Sequence, residues 1–466
     1  MKRVSTLLLI AGACNCMLDP DSVPPPKPSA FMYPNDPVVY RVGQPIGESA
    51  PVKEDATTPV SSYQIAPPLP QGLIFDTATG VISGTPLALS PATSYAITAT
   101  NPSGSTLATL GITVLGLQGA VSSGRYHNCA LSGGGAVCWG RNTHGGLGNN
   151  TDAGSSVPVH VFGLGSGVQA VAAGGYHACA IADGGALCWG WNSDGQLGNG
   201  SSAQESRVPV QVTGLTSGVQ AISAGVQHTC AIVGGGAVVC WGRNNFGQLG
   251  TGNTTDSTVP VPVSGLASGV QALTTGDYHT CAILDGGVLC WGAGYTGELG
   301  HPSNATNLTP NPPTGISSGV QDISAGGDHT CAVVNGSALC WGLNDAGELG
   351  DGTINTSFAP IQVSGLTAGV LSTAAGDHHT CANVNGSAWC WGEGASGQLG
   401  NGAGTASRVP VPVAGLTSGI QGITTGYDSS CASTPGGVVC WGVNLFGELG
   451  NNSTTDSWVP VAVFSP

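Results

Sequence analysis

After residue 117 the chain alternates short apolar runs of four to six residues, rich in Val, Ile and Ala, with Gly-rich turns. The stretch 219–265 holds four such runs: Val219–Ser223, His228–Ile232, Ala237–Trp241 and Val259–Val263. Short β-branched runs bounded by turn residues predict strands, and no long amphipathic helical period competes with them. The unit recurs seven times with a period of about 50 residues, and four short strands per period is what a propeller blade requires. A solenoid would need polar terminal caps. Seven similar copies without such caps favour a closed ring over 117–466. The expected fold is therefore all-β, a seven-bladed β-propeller preceded by a small β-sandwich over 31–115.

Within that first domain, LPQGLIFDTATGVISGTP (69–86) is legible step by step. Asp76 can accept from turn amides, Gly80 can adopt positive φ, and Val81–Ile82 restart a strand that ends at Ser83-Gly84. Residues 94–114 read as a hairpin closed around Asn101–Gly104. This segment resembles the Ig-like module of bacterial surface proteins, which implies a seven-stranded type of sandwich acting as a spacer or stalk.

Fourteen of the 16 cysteines fall in the repeats. They form the pairs Cys129 and Cys138, Cys179 and Cys188, Cys230 and Cys240, Cys281 and Cys290, Cys331 and Cys340, Cys381 and Cys390, and Cys431 and Cys440. With a two-residue turn at Asp183-Gly184, Cys179 faces Cys188 at a non-hydrogen-bonded position, where Cα atoms approach to about 4.5 Å. That is within disulfide reach. A metal site or redox couple would favour Cys-x-x-Cys. Spacing, register and the export argued below point instead to seven cross-strand disulfides. Repeat three carries one extra residue, which its Gly234–Gly236 run could absorb as a bulge.

Around these pairs each copy reads Gly-x-x-His-Thr-Cys-Ala, then Cys-Trp-Gly-x-Asn-x-x-Gly-Gln/Glu-Leu-Gly, with local variation. The pattern resembles the regulator of chromosome condensation repeat, in particular its secreted bacterial, α-tubulin-suppressor-like branch. The resemblance covers all seven repeats and implies the seven-bladed propeller. Leu197, Leu249, Leu299, Leu349, Leu399 and Leu449 are expected as plugs between blades, with the tryptophans after the second cysteines in the core.

The start, MKRVSTLLLIAGACNC, has charged Lys2 and Arg3, then an apolar stretch too short to span a bilayer. Residues 1–13 are expected to be a signal peptide. Small residues before Cys14 resemble a bacterial lipobox, implying lipidation of Cys14 and a Pro-rich tether over 14–30. The expected location is extracytoplasmic: an outer-membrane-anchored lipoprotein or the cell surface, touching membrane through the lipid alone. From residue 117 onward there are five Arg, no Lys and 18 Asp or Glu, a formal charge of 5 − 18 = −13. Nucleic acid is excluded as a partner by that balance.

His127, His177, His228, His279, His329 and His379 each precede a first cysteine by two residues; Ser429 takes that place in repeat seven. Six imidazoles on one side of their strands could form a metal girdle, but the family resemblance implies a packed, hydrogen-bonded core position. No catalytic, cofactor-binding or metal site is assigned, and no enzyme activity is expected. The leading functional reading is a non-catalytic cell-surface lipoprotein, an adhesion or interaction scaffold whose propeller face binds a protein or glycan. Two loops per repeat converge on that face. The first contributes Tyr126, Tyr176, Tyr278, Asp328, His378 and Tyr427; the second contributes Arg141, Trp191, Arg243, Phe246, Tyr295 and Phe446. Tyr, Trp and Arg are enriched at binding hot spots. The alternatives are a guanine-nucleotide-exchange-like regulator, implied by the family, or an inhibitor of a secreted enzyme. Segment 301–315 (HPSNATNLTPNPPTG) departs from its siblings and reads as an irregular outer strand or a recognition loop.

Overall fold

The computed structural model of the chain describes residues 24–302 and 305–466. The predicted signal segment, Cys14, Cys16 and the first part of the tether lie outside the described residues, as do positions 303 and 304 of the 301–315 segment.

Seven four-stranded antiparallel sheets form the propeller, each ordered along the chain from inner to outer strand. Blade 2 shows the plan, with strands Val168–Ala173, His177–Ala182, Gly185–Trp191 and Glu205–Gln211. Cys179 stands opposite Cys188, Ala180 opposite Leu187 and Ala182 opposite Gly185. All fourteen propeller cysteines are joined in this way, at Cα separations of 4.0–4.1 Å. In blade 3 the extra residue lies in a three-residue turn, Gly234–Gly236, with Val233 opposite Ala237. The turn takes the insertion rather than a bulge, because three glycines accept positive φ at Gly235 and Gly236. Segment 301–315 supplies a short outer strand, Asn307–Asn311, that pairs with blade 4 through Gly292 and Asn311's partner Cys290.

The glycine after each tryptophan has a specific cause. Gly292 sits at φ +106°, and a Cβ there would lie 2.5 Å from the Tyr278 carbonyl oxygen. This close approach lets the third strand cross the start of the second and then swing out to the fourth.

Each blade buries its disulfide, its leucine plug and the next blade's tryptophan in one cluster. Cys281, Cys290, Leu299 and Val320 pack with Trp341 in this way. The seven tryptophans from Trp139 to Trp441 are fully buried. Each indole N–H donates backward to the preceding blade, Trp241 to the Gln196 carbonyl at 2.8 Å and Trp391 to that of Glu348 at 2.6 Å. Between blades 7 and 1, Trp139 reaches the Glu448 carbonyl at 2.7 Å, and Leu117 wedges in beside it. Among the described residues no strand is exchanged between blades 7 and 1; packing and these bonds close the ring.

The buried histidines form a second belt. His177 Nε2 bonds Thr229 Oγ1 of the next blade at 2.8 Å, while that hydroxyl donates to the Gln196 carbonyl at 3.0 Å. His228, His279, His329 and His379 repeat the contact with Thr280, Thr330, Thr380 and Ser430. Because the hydroxyl hydrogen is committed to the carbonyl, the imidazole must donate from Nε2. Burial holds all six rings well below the usual histidine range, to about 3 for His177 and about 4 for His127. They pack as neutral rings at the junctions between blades.

The N-terminal domain is a sandwich of nine strands between Phe31 and Leu115, in sheets of two, four and three strands. Asp76 accepts the Ala78 and Thr79 amides at 2.7 and 3.2 Å, and Gly80 takes φ +76°. The sandwich docks on the C-terminal strand: Ser465 N–H donates to the Val42 carbonyl at 3.1 Å, and Gly116 N–H to that of Gly436 at 2.8 Å. Gly436 lies in the turn between the second and third strands of blade 7. The sandwich therefore sits at the opposite end of the blades from the first and third loops, and does not cover that loop face.

Each disulfide closes a hairpin of about ten residues, for which chain-entropy arithmetic gives about 2–3 kcal/mol. Replacing Cys281 and Cys290 together with Ala should lower the unfolding free energy by that amount, read as a shift of the urea midpoint under non-reducing conditions. An unchanged midpoint would mean that the cross-link constrains nothing the hairpin register does not already hold.

Candidate binding face of the propeller

The first loop of each blade has two residues after a glycine. That glycine is dictated by close approach: a Cβ on Gly276 would lie 2.3 Å from the Gly326 carbonyl oxygen of the next blade. The seven first loops are thus drawn into a ring around the channel mouth. The residue just after the glycine faces the mouth, giving Arg125, Gly175, Val226, Asp277, Gly327, Asp377 and Tyr427. The next residue stands one step outward: Tyr126, Tyr176, Gln227, Tyr278, Asp328, His378 and Asp428. Tyr427 therefore belongs to the inner ring, and Asp428 is the outer residue of blade 7. Behind the mouth lies a channel of about 260 Å³ lined by Ser, Thr, Ala, Val and Ile of the inner strands.

The third loop surrounds this ring and is built on a side chain. Asn192 Oδ1 accepts the Leu197 amide at 3.0 Å while its Nδ2 donates to the Ala203 carbonyl at 2.8 Å. Asn142, Asn244, Asn344 and Asn444 do the same work. The Gln or Glu four residues later tightens the turn, as when Gln196 Oε1 accepts the Asp194 amide at 2.9 Å.

On blades 7, 1 and 2 the two loop sets make one aromatic–arginine patch. Tyr126 is its hub, with ring centroids 5.3 Å from Tyr176, 5.8 Å from Tyr427 and 6.1 Å from Phe446. Trp191 continues it, edge-on to Tyr176 at 5.4 Å and stacked on His144 at 5.4 Å. The Arg141 guanidinium lies 4.8–5.5 Å from the rings of Phe446, Tyr126 and Tyr176. Arg125 stands 4.2 Å over Tyr427 and crosses the channel mouth to Asp277 of blade 4 at 3.4 Å.

Of the twelve residues expected on this face, Tyr126, Arg141, Tyr176, Trp191, Tyr427 and Phe446 are brought into this patch. Phe246, Tyr278 and Tyr295 form a separate group on blades 3 and 4, at 5.3 and 6.0 Å, and Tyr295 is exposed. Arg243 joins neither; it hydrogen-bonds Gln227. Asp328 and His378 lie on the far side, within an acidic crescent completed by Asp277, Asp345, Glu348, Asp377, Glu393 and Asp428. Burial, with the neighbouring Asp377 charge, pushes the Asp277 carboxyl up to about 7. Burial likewise raises Asp328, Glu393 and Asp428. Sequence reasoning missed Arg125, Asp277, Asp377 and Asp428. Aligning the copies on the glycine before the loop, rather than on the tyrosines, was the available signal for the inner ring.

The molecule is thus a closed propeller whose first- and third-loop face offers a preformed aromatic patch beside an acidic crescent. It belongs to the RCC1-like domain family, whose model matches residues 112–382, more than half of the chain. The model "Regulator of chromosome condensation (RCC1) repeat" matches residues 385–433, and "Putative Ig domain" matches residues 28–115. The ultraviolet-B receptor UVR8 of Arabidopsis thaliana is 30% identical over 170 residues, 35% of this chain. That match spans only 39% of UVR8's length. Among solved structures, human WBSCR16 aligns with TM-score 0.63 at 22% identity, covering 71% of this chain and 94% of its own. Prp20p of Saccharomyces cerevisiae aligns with TM-score 0.62 at 22% identity, covering 75% of this chain and 88% of its own. Yeast RCC1 (Prp20) bound to Kap60 aligns with TM-score 0.62 at 20% identity, over 75% and 85% of the two chains.

These findings correct the expected branch. The solved propellers named above are human and yeast proteins, the yeast one bound to Kap60 in one structure, rather than secreted bacterial lipoproteins. Four expectations are set aside with that branch: lipidation-based membrane anchoring, an extracytoplasmic location, secretion, and cell-surface adhesion. The physical reason is that the residues carrying the resemblance are the turn glycines, tryptophans, histidines and leucines. All of them serve blade packing, so they carry the fold of the whole family and nothing about compartment.

Proposed function

We propose that this chain is a non-catalytic regulatory scaffold that docks a partner protein on its first- and third-loop face, in the manner of an exchange-factor-like propeller. The observation that carries the reading is the patch centred on Tyr126, where four other aromatic rings and two arginines are already packed before any partner arrives. Preorganised Tyr, Trp and Arg lose little side-chain freedom on binding and fill the roles that hot spots require. The acidic crescent opposite would select a partner with a complementary basic surface and speed its approach. Two features of relatives support a protein ligand: yeast Prp20 is bound to Kap60 in one structure, and another is described with its binding to Gsp1p and histones.

The experiment is a binding titration against small GTPases, nucleotide-free and loaded, with release of a fluorescent guanine nucleotide as second readout. Trp191→Ala combined with Arg141→Ala should weaken association at least ~30-fold, the effect of losing about 2 kcal/mol. Unchanged affinity in that double variant would remove this face from consideration. Binding without nucleotide release would leave a scaffold that is not an exchange factor.

A further inference from the structure

We propose that the junction of blades 5 and 6 on this face is a divalent-cation site, with Asp345, Glu348 and His378 as ligands and Asp377 orienting the imidazole. One ligand atom from each of the three residues lies within 4.8 Å of the others. The Glu348 side chain is fully buried. Its Oε2 accepts the Ala346 amide at 3.0 Å, the turn-closing bond of every blade that carries Gln or Glu here. Its Oε1 has no hydrogen-bond partner and points at the His378 Nδ1, 3.5 Å away. That distance is too long for a good hydrogen bond but natural for two donors that share a cation. On the other side of the ring, His378 Nε2 meets Asp377 Oδ2 at 3.1 Å. An Nε2–H donated to Asp377 leaves the Nδ1 lone pair facing Glu348 and Asp345, the carboxylate–histidine arrangement that orients metal-binding imidazoles.

The neighbouring junction shows what a cation-free version looks like. Between blades 6 and 7, Gln398 Nε2 donates to Asp428 Oδ1 at 3.2 Å, so the amide satisfies the carboxylate directly. Between blades 5 and 6 that amide is replaced by a third carboxylate near the imidazole. A protonated His378 would offset one of the three negative charges, whereas a dication offsets two. One nitrogen and two carboxylate oxygens suit Zn²⁺ or a similar first-row ion rather than Ca²⁺, which takes six to eight oxygens. Asp345 is exposed and free to close on the ion, leaving further coordination positions open toward the docking face. The site is hidden in the sequence because its ligands come from two repeats, 33 residues apart at their widest.

The test is calorimetric titration of ZnCl₂ into the full chain, alkylated without reduction so that any free thiols are capped. Glu348→Gln and His378→Tyr are the informative variants. Each installs a residue that other blades already carry at that position, Gln at 196, 248 and 398 and Tyr at 126, 176 and 278, so the fold is expected to survive. The wild type should take up one equivalent with a Kd of roughly micromolar or tighter. Each variant should lose at least ~30-fold in affinity, and Asp377→Asn about 10–100-fold. No saturable uptake by the wild type, or an equivalent that persists unchanged in both variants, overturns the proposal. A partner-binding result of either sign leaves this outcome unaffected.

Discussion

Trp341→Ala should lower the unfolding free energy of the propeller by about 3–5 kcal/mol, the usual cost of truncating a fully buried tryptophan. The side chain has no exposed surface, and it is buried in one cluster with Cys281, Val288 and Leu299 of blade 4, Ile316 of the connection and Val320 at the start of blade 5. Its indole N–H donates to the Glu298 carbonyl at 2.9 Å. Truncation opens a cavity between two sheets that are not hydrogen-bonded to each other through strands, so neither can relax to fill it. Trp341→Phe should cost less. The Glu298 carbonyl keeps the Thr330 hydroxyl at 2.8 Å, and one lost hydrogen bond is worth about 1 kcal/mol beyond the smaller ring. Urea midpoints of the three proteins, disulfides intact, give the comparison. A loss below about 1 kcal/mol for Trp341→Ala would mean that something other than this indole packing holds the ring closed.

Acidification should destabilise the propeller through its histidine belt. Six imidazoles are buried and neutral, with folded-state values of about 3 to 4 against the ordinary 6.5. Between those limits the unfolded chain binds protons that the folded chain refuses, so stability falls as pH drops from about 6.5 toward 4. Each ring contributes on the order of 1.4 kcal/mol per pH unit, and even partial realisation across six sites amounts to several kcal/mol. Asp277 and Glu448 act in the opposite sense, since burial raises both to about 7 and their protonation favours the folded state. Burial raises Glu298, Asp322, Asp328, Glu348, Glu393 and Asp428 as well, but by less, so the six strongly shifted imidazoles set the sign. The melting temperature, measured by calorimetry from pH 8 to pH 4.5, should decline below about pH 6. A flat or rising profile would show that the rings titrate normally and are not sealed in the core.

The two predictions concern belts that were readable in the sequence to different depths. The tryptophans and histidines recur at fixed offsets from cysteines, so their burial followed from repetition. Their bonding did not. His177 and Thr229 are 52 residues apart, and nothing in either copy says that the hydroxyl of one blade orders the imidazole of its neighbour. Blade 1 illustrates the point: Ala178 stands where the later blades have Thr or Ser, and His127 Nε2 is left without a partner. The binding face was harder. Tyr427 was grouped with Tyr126 by residue type, although it sits one position inward and Asp428 takes the outer place. Arg243 was grouped with Arg141 by position, yet only Arg141 lies among aromatic rings. The branch expected from the repeat motif failed because blade packing alone accounts for that motif.

What the chain determined by itself was everything local. Hairpin register follows from two-residue turns, cysteine pairing from that register, blade number from the repeat count, and the glycine positions from turns a few residues long. Those contacts join residues separated by ten to a few tens of positions and recur seven times, so their cause is visible in any one copy. Tertiary structure alone decided which residues meet across the ring. Closure turns distance along the chain into angle about an axis. That brings Arg125 to Asp277, sets Tyr427 beside Tyr126 at the seam, and gathers Asp345, Glu348 and His378 from two blades. Such meetings depend on the curvature of the whole ring and on differences between copies, and a repeating pattern encodes neither.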